Sequence, residues 1–302
     1  MSIDPSHPLI VENMTKVLTG PEVPFSMTIP DYDGFIYLLN YENQILSFSL
    51  LYPSLNPLLE AGGLAALEAH LQGFPNHKTD RSITFEINKS LLPRDPETQK
   101  IAIGEISAKF SQFRTVLIGG VFSTPLTSIL SNTPSQPRQI DIRKSERLWI
   151  VPGENRVSFV FQIIYEDFND ISLAKIFLQE IQDSKKQISN SPVISFGSSP
   201  PENILSFRPN SEGMFLSITI LKDQIKNPVE QGRWLGSLKQ YLSYHIHSCK
   251  INLHMRMRKR SDALLAVLKQ AVPEKLQEKT FKRVRATRGI KEDAKIINNF
   301  RS

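Results

Sequence analysis

The residues best suited to chemistry cluster late in the chain: His245, His247, Cys249 and His254. On a helix, His245 and Cys249 stand one turn apart, a spacing at which an imidazole and a thiolate can share a metal ion. They supply only two ligands, and no carboxylate or further imidazole completes the turn. In this reading they also fall on an apolar stripe with Trp234, Leu238, Leu242 and Leu253, so packing is their expected role. Asp31, Asp33 and Glu42 have the spacing of the first, third and last ligands of a calcium loop. The position that such a loop reserves for glycine is Ile36, and Phe35 and Tyr37 stand where oxygen ligands belong. A turn leading into a strand is the better reading. No GxxxxGK[ST], GxGxxG, GxSxG or HExxH motif occurs. No Ser/His/Asp set or carboxylate pair can be nominated. The sequence therefore predicts no catalytic residue, no metal site and no cofactor, which is the pattern of a protein that is not an enzyme.

The elements around these residues follow from periodicity. Pro8–Leu18 reads as a short amphipathic helix. The apolar runs Phe35–Leu39 and Gln44–Tyr52, separated by Tyr41–Asn43, read as a β-hairpin. Leu64, Leu67 and Leu71 have helical spacing, and Ile83, Phe85 and Ile87 alternate as in a strand. A helix opens at Asp95-Pro96 and carries Ile101, Ile106, Phe110, Phe113 and Leu117 to about Ile118. Thr124–Gln139 is rich in Ser, Thr, Pro and Asn, a linker composition. The second half repeats the order: a strand at Arg147–Val151, a turn, a strand at Val157–Tyr165, and a helix at Asp170–Lys186 with Ile171, Ala174, Phe177, Leu178 and Ile181 inward. Strands follow at Val193–Phe196 and Met214–Leu221. A helical region then opens at Asn227-Pro228 and runs with no further proline to about Ala271, roughly 65 Å if unbroken. That is longer than either half is wide, so part of it must lie against something else.

Strands joined by hairpins, with helices gathered on one face, predict an α+β fold: two tandem two-layer α/β domains, each an antiparallel sheet backed by helices, with a long C-terminal helix. The expected division is a first domain over 1–125, a linker over 126–144, a second domain over 145–272 and a basic tail over 273–302. No run approaches eighteen apolar residues, so no membrane-spanning helix is expected. The start, MSIDPSHPLIVENM, lacks the features of a signal peptide. Cys249 is the one cysteine, which excludes an internal disulfide and suits a reducing compartment.

The net charge of +6 is unevenly spread. Cys249–Ser302 holds 15 basic and 5 acidic residues, against 21 and 25 before it. A basic arm implies an anionic partner: nucleic acid, a membrane face or an acidic protein surface. At 100° per residue, Met257, Leu264 and Leu268 share a helix face with Leu253, Arg256 and Arg260 flank it, and Arg258 and Lys259 point nearly opposite.

The C-terminal region resembles a known family. Tyr241-Leu242, Tyr244-His245-Ile246, His254, Arg256-Met257-Arg258 and the downstream Leu265, Val267 and Leu268 resemble the C-terminal helix of the subunit 2 family of the actin-related protein 2/3 complex. Ala174-Lys175-Ile176-Phe177-Leu178-Gln179-Glu180 with Lys185-Lys186, then Ser191-Pro192-Val193, Pro200-Pro201 and Thr280-Phe281, continue the likeness over about 170–285. In the first half it is carried mainly by Asp31–Tyr37. The resemblance implies a non-catalytic scaffold in the cytoplasm and actin cytoskeleton, packed against subunit 4 through long antiparallel helices and resting on the side of an actin filament. The interface candidates are then Trp234, Leu238, Leu242, Leu253, Arg256, Met257, Arg260, Leu264 and Leu268. The filament candidates are Lys185, Lys186, Arg258, Lys259, Lys282, Arg283 and Arg285. The alternative is a nucleic-acid-binding module that uses the basic arm, although no nucleic-acid-binding motif accompanies it.

Overall fold

The computed structural model describes residues 6–31, 34–143, 146–165, 167–185, 190–209 and 212–270. Helix α1 (Pro8–Thr19) precedes strands β1 (Phe25–Pro30), β2 (Ile36–Glu42) and β3 (Ile45–Leu51). Short helix α2 (Leu55–Leu58) passes through one irregular turn into α3 (Leu64–His70), and β4 (Asn76–Lys78) and β5 (Ser82–Asn88) complete the sheet. Helices α4 (Pro96–Ser111) and α5 (Phe113–Leu130) follow. The second half holds β6 (Arg138–Arg143), β7 (Glu146–Pro152), β8 (Arg156–Ile163), α6 (Phe168–Lys185), β9 (Val193–Gly197) and β10 (Met214–Leu221), and ends in α7 (Pro228–Gln270).

The two halves share a topology. Each sheet has five strands, ordered β1-β2-β3-β5-β4 and β6-β7-β8-β10-β9, and every pairing is antiparallel. The hairpin of β2 and β3 turns at Asn43 and Gln44, whose φ angles are 51° and 65°. Two successive left-handed residues match the twist of the flanking strands. In β5 the predicted alternation holds, with Ile83, Phe85 and Ile87 buried.

Between Pro96 and Ile118 there are two helices rather than one. The break is at Gln112, whose backbone (φ −91°, ψ 6°) leaves the helical region. It lets Phe110 and Phe113 both reach the first sheet: each ring lies within 6.3 Å of Phe48 and Phe85. The stretch with linker composition is helix as far as Leu130 and begins β6 at Arg138. α5 runs to Leu130 through Pro125, and the irregular connection is confined to 131–137. Its polar residues serve the helix: Thr124 Oγ1 donates to Gly120 O (2.8 Å) and Ser128 Oγ to Thr124 O (3.0 Å). Farther along α5, Phe122 stacks on Phe161 and meets Phe159 at a tilt, both in the second sheet. One helix thus packs on both sheets, and a single buried cluster runs from Ile10 to Ile246. α5 is also long and apolar enough to cross a membrane, with a mean hydropathy of 1.3. Phe113, Leu117, Val121 and Leu126 are nevertheless fully buried, which is the environment of a core helix.

Glycines bring α5 close to its neighbours. A Cβ on Gly120 would lie 2.8 Å from Gly62 O and 2.5 Å from Ala66 Cβ of α3. One on Gly232 of α7 would lie 2.5 Å from Gly119 O. Only hydrogen at these positions allows the backbones to approach so closely. By compactness, Met1–Ile246 is one unit and the chain from His247 another.

Candidate functional site

Helix α7 carries most of the predicted interaction residues. It starts at a capped end, where Asn227 Oδ1 accepts from Glu230 N at 3.2 Å and Pro228 occupies the first helical position. It then continues for 43 residues without a break. In its first part Leu235, Leu238, Leu242 and Ile246 are buried in the core of the first unit. The same line on the helix, advancing in steps of three or four, continues through Cys249, Leu253, Met257, Arg260, Leu264 and Leu268. In the second unit these residues are exposed: Leu253 by 51%, Met257 by 58%, Leu264 by 60% and Leu268 by 51%. A stripe that serves as core in its first half is left uncovered in its second.

Leu238 and Leu242, expected at a partner surface, are covered by this chain's own core instead. The sequence showed one stripe but not where the chain's own domains stop covering it. Trp234, placed on that stripe by the sequence reading, lies about 100° from Leu235 and is exposed. His245 is held by aromatic rings, stacked on Phe177 at 5.1 Å and edge-on to Tyr241 at 4.3 Å. Cys249 is exposed. Among the described residues no three His, Cys, Asp or Glu side chains are placed to hold a metal ion. Asp31, the first residue of the calcium-like spacing, is paired with Arg114 at 2.9 Å and accepts from Tyr37 Oη at 2.9 Å. Asp33 lies outside the described residues.

Arg256, Arg258, Lys259 and Arg260 are all exposed on the distal part of α7. They give this segment a dense positive charge beside its apolar stripe. Lys185 is the last residue of α6. Lys186, Lys282, Arg283 and Arg285 lie outside the described residues. The groups that fix the start of α7 escaped the sequence reading: the close glycines, and Arg114, which donates to Gln240 Oε1 at 3.0 Å. Their signals were the pair Gly119-Gly120 within an apolar run and the four-residue spacing of Gly232 and Gly236.

A family model described as "Arp2/3 complex, 34 kD subunit p34-Arc" matches residues 48–275. The chain belongs to the p34-Arc family. The match reaches back through most of the first half, well before residue 170, where the sequence-level likeness became specific. Among p34-Arc relatives, actin-related protein 2/3 complex subunit 2 of Dictyostelium discoideum is 29% identical over 256 residues, covering 81% of this chain and 84% of that protein. Subunit 2A of the same complex from Arabidopsis thaliana is 24% identical over 218 residues, covering 67% of this chain and 66% of that one.

Proposed function

We propose that this chain is a non-catalytic scaffold subunit of the Arp2/3 complex. In this reading it acts in the cytoplasm on the actin cytoskeleton during branched actin nucleation, pairing with subunit 4 and contacting the side of an actin filament. The observation that carries this reading is the exposed continuation of the α7 stripe. Four apolar side chains on one line, each half-exposed or more, form a contiguous patch of the kind that marks a protein interface. The buried part of that line shows the packing it makes once covered. A long helix from subunit 4, laid antiparallel along Leu253–Leu268, would extend the same core. The exposed cations on α7 suit an acidic filament, and their role is positional and electrostatic.

The test is co-expression. The full chain alone should be poorly soluble, and co-expression with subunit 4 should yield a soluble pair that co-elutes on size exclusion. A well-behaved monomer that ignores subunit 4 would overturn the reading.

A further inference from the structure

The first unit holds an open groove of about 550 Å³ between α3, α5 and the first turns of α7. Its walls are mostly glycine, alanine, serine and threonine, including Ala66, Gly119, Gly120 and Thr127. Small side chains let another backbone come close, as these helices already do with each other. The ionisable side chains lining the groove are two, His70 and Arg233, and neither is acidic. Among the described residues Arg233 forms no hydrogen bond or ion pair. Its stem lies on α5, with Cγ 3.0 Å from the position of a Cβ on Gly119. The residue is only partly exposed, and its charge has no anion of this wall beside it. His70 Nε2 is 3.1 Å from Lys109 O. Burial holds the imidazole below its usual range, and the Arg233 and Lys109 charges push it in the same direction. No carboxylate within this wall offsets them.

We infer that this groove is a docking site for an acidic peptide segment of a protein partner, with an Asp or Glu side chain meeting Arg233 and the segment's backbone resting on the small-residue wall. Charge complementarity selects the occupant: a guanidinium fork takes a carboxylate bidentately, and the hydroxyls of Ser123, Thr124 and Thr127 line the approach. The site uses none of the distal α7 residues invoked above, so it stands or falls separately from the pairing with subunit 4.

The test places the photo-cross-linking amino acid p-benzoylphenylalanine at Ser131, on the rim of the groove, in the full chain within its native assembly, and maps the products by mass spectrometry. Three variants accompany it: Arg233→Glu, Arg233→Lys, and Thr127→Trp, which fills the groove without changing its charge. The expected product joins Ser131 to an acidic stretch of one partner polypeptide. Arg233→Glu should lower its yield roughly tenfold or more, since reversing one member of a desolvated charge pair mainly speeds dissociation. Arg233→Lys should retain most of the yield and Thr127→Trp should abolish it, with the thermal unfolding of all three unchanged. A product within this chain itself, a partner segment without acidic residues, no product, or a yield indifferent to Arg233→Glu would each overturn the inference. A fall in yield that tracks loss of the fold, in Thr127→Trp as in Arg233→Glu, would do so as well.

Discussion

Arg114 Nε lies 2.9 Å from Asp31 Oδ2, in a pair whose side chains are 15% and 5% exposed. The same guanidinium donates through its second terminal nitrogen to Gln240 Oε1 of α7, so one residue of α5 ties the edge of the first sheet to the long helix. Tyr37 Oη donates to the same carboxylate oxygen. A buried pair of this kind contributes little relative to an apolar substitute, but it is costly to break from one side. Arg114→Ala should therefore destabilise the fold by about 3–5 kcal/mol, because Asp31 is left charged and buried. Asp31→Asn combined with Arg114→Ala should recover part of that loss. Denaturant unfolding of the single and double variants, in the co-expressed pair, checks this. Equal losses in single and double variants would mean that the pair is uncoupled.

The glycine contacts predict opposite outcomes for the same substitution. Gly232→Ala puts a methyl group 2.5 Å from Gly119 O and 2.8 Å from Ser123 N, both backbone atoms that cannot step aside. Overpacking should outweigh the gain in helix propensity of about 1 kcal/mol and leave a net loss of 1 kcal/mol or more. Gly104, in α4, has open space around the position of its missing Cβ. Gly104→Ala should stabilise by roughly 0.5–1 kcal/mol. Thermal unfolding of the two variants should shift in opposite directions.

Central elements were legible in the sequence because their apolar periods are clean. β5 and β3 each alternate with three buried residues, and β8 is buried continuously after its first residue. The edge strands β1, β4 and β6 were not found. β1 does alternate, with Phe25, Met27 and Ile29 toward the core and Ser26 and Thr28 away from it, but it is short and ends in a proline; β4 buries none of its three residues and carries no period. The break at Gln112 left no mark, since the apolar positions on either side keep helical spacing across it. The linker reading of Thr124–Gln139 contains the irregular connection 131–137 but starts too early, because hydroxyls read as loop-forming also donate to helix carbonyls four residues back. The stripe on α7 was legible as a stripe. Which half of it the chain covers itself depends on tertiary packing, which no local pattern encodes.

That division of α7 separates folding from assembly. Leu242→Asp places a carboxylate in the first unit's core, where an unpaired charge costs at least several kcal/mol. Co-expression with subunit 4 should then fail to yield soluble chain. Leu264→Asp alters a residue that is 60% exposed in the chain alone. It should leave the first unit resistant to limited proteolysis and prevent co-purification with subunit 4. Asp262→Ala, on the exposed polar side, should cost well under 1 kcal/mol. If Leu264→Asp and Asp262→Ala behave alike, the docking face has been misplaced.

His70 gives stability a pH dependence whose sign follows from its burial. Its folded pKa lies below the ordinary 6.5, first through burial and then through the charges of Arg233 and Lys109. As pH falls below 6.5 the unfolded chain takes up a proton before the folded chain does. Stability present above that pH is therefore lost on acidification, down through the folded pKa. His70→Gln should flatten this part of the stability curve between neutral and mildly acidic pH, measured by urea midpoints. An unchanged slope would remove His70 as its source.

The proposed filament contact rests on charge at one place that the structure describes. Arg258 and Lys259 are exposed on distal α7, and the helix sets their directions about 100° apart. Arg256 and Arg260 sit nearer the apolar stripe and are more readily taken up by a helical partner. Contact with an acidic filament through such exposed charges is screened beyond about 8 Å at physiological salt. Co-sedimentation of the assembled complex with filaments should weaken as salt rises. Arg258→Glu with Lys259→Glu should lower it several-fold, while the complex remains intact on size exclusion. Adding Lys185→Glu and Lys186→Glu tests the end of α6 in the same assay. If all four reversals leave co-sedimentation and its salt dependence unchanged, these cations do not form the contact. Reversal of Lys282, Arg283 and Arg285 would then test the remaining basic candidates.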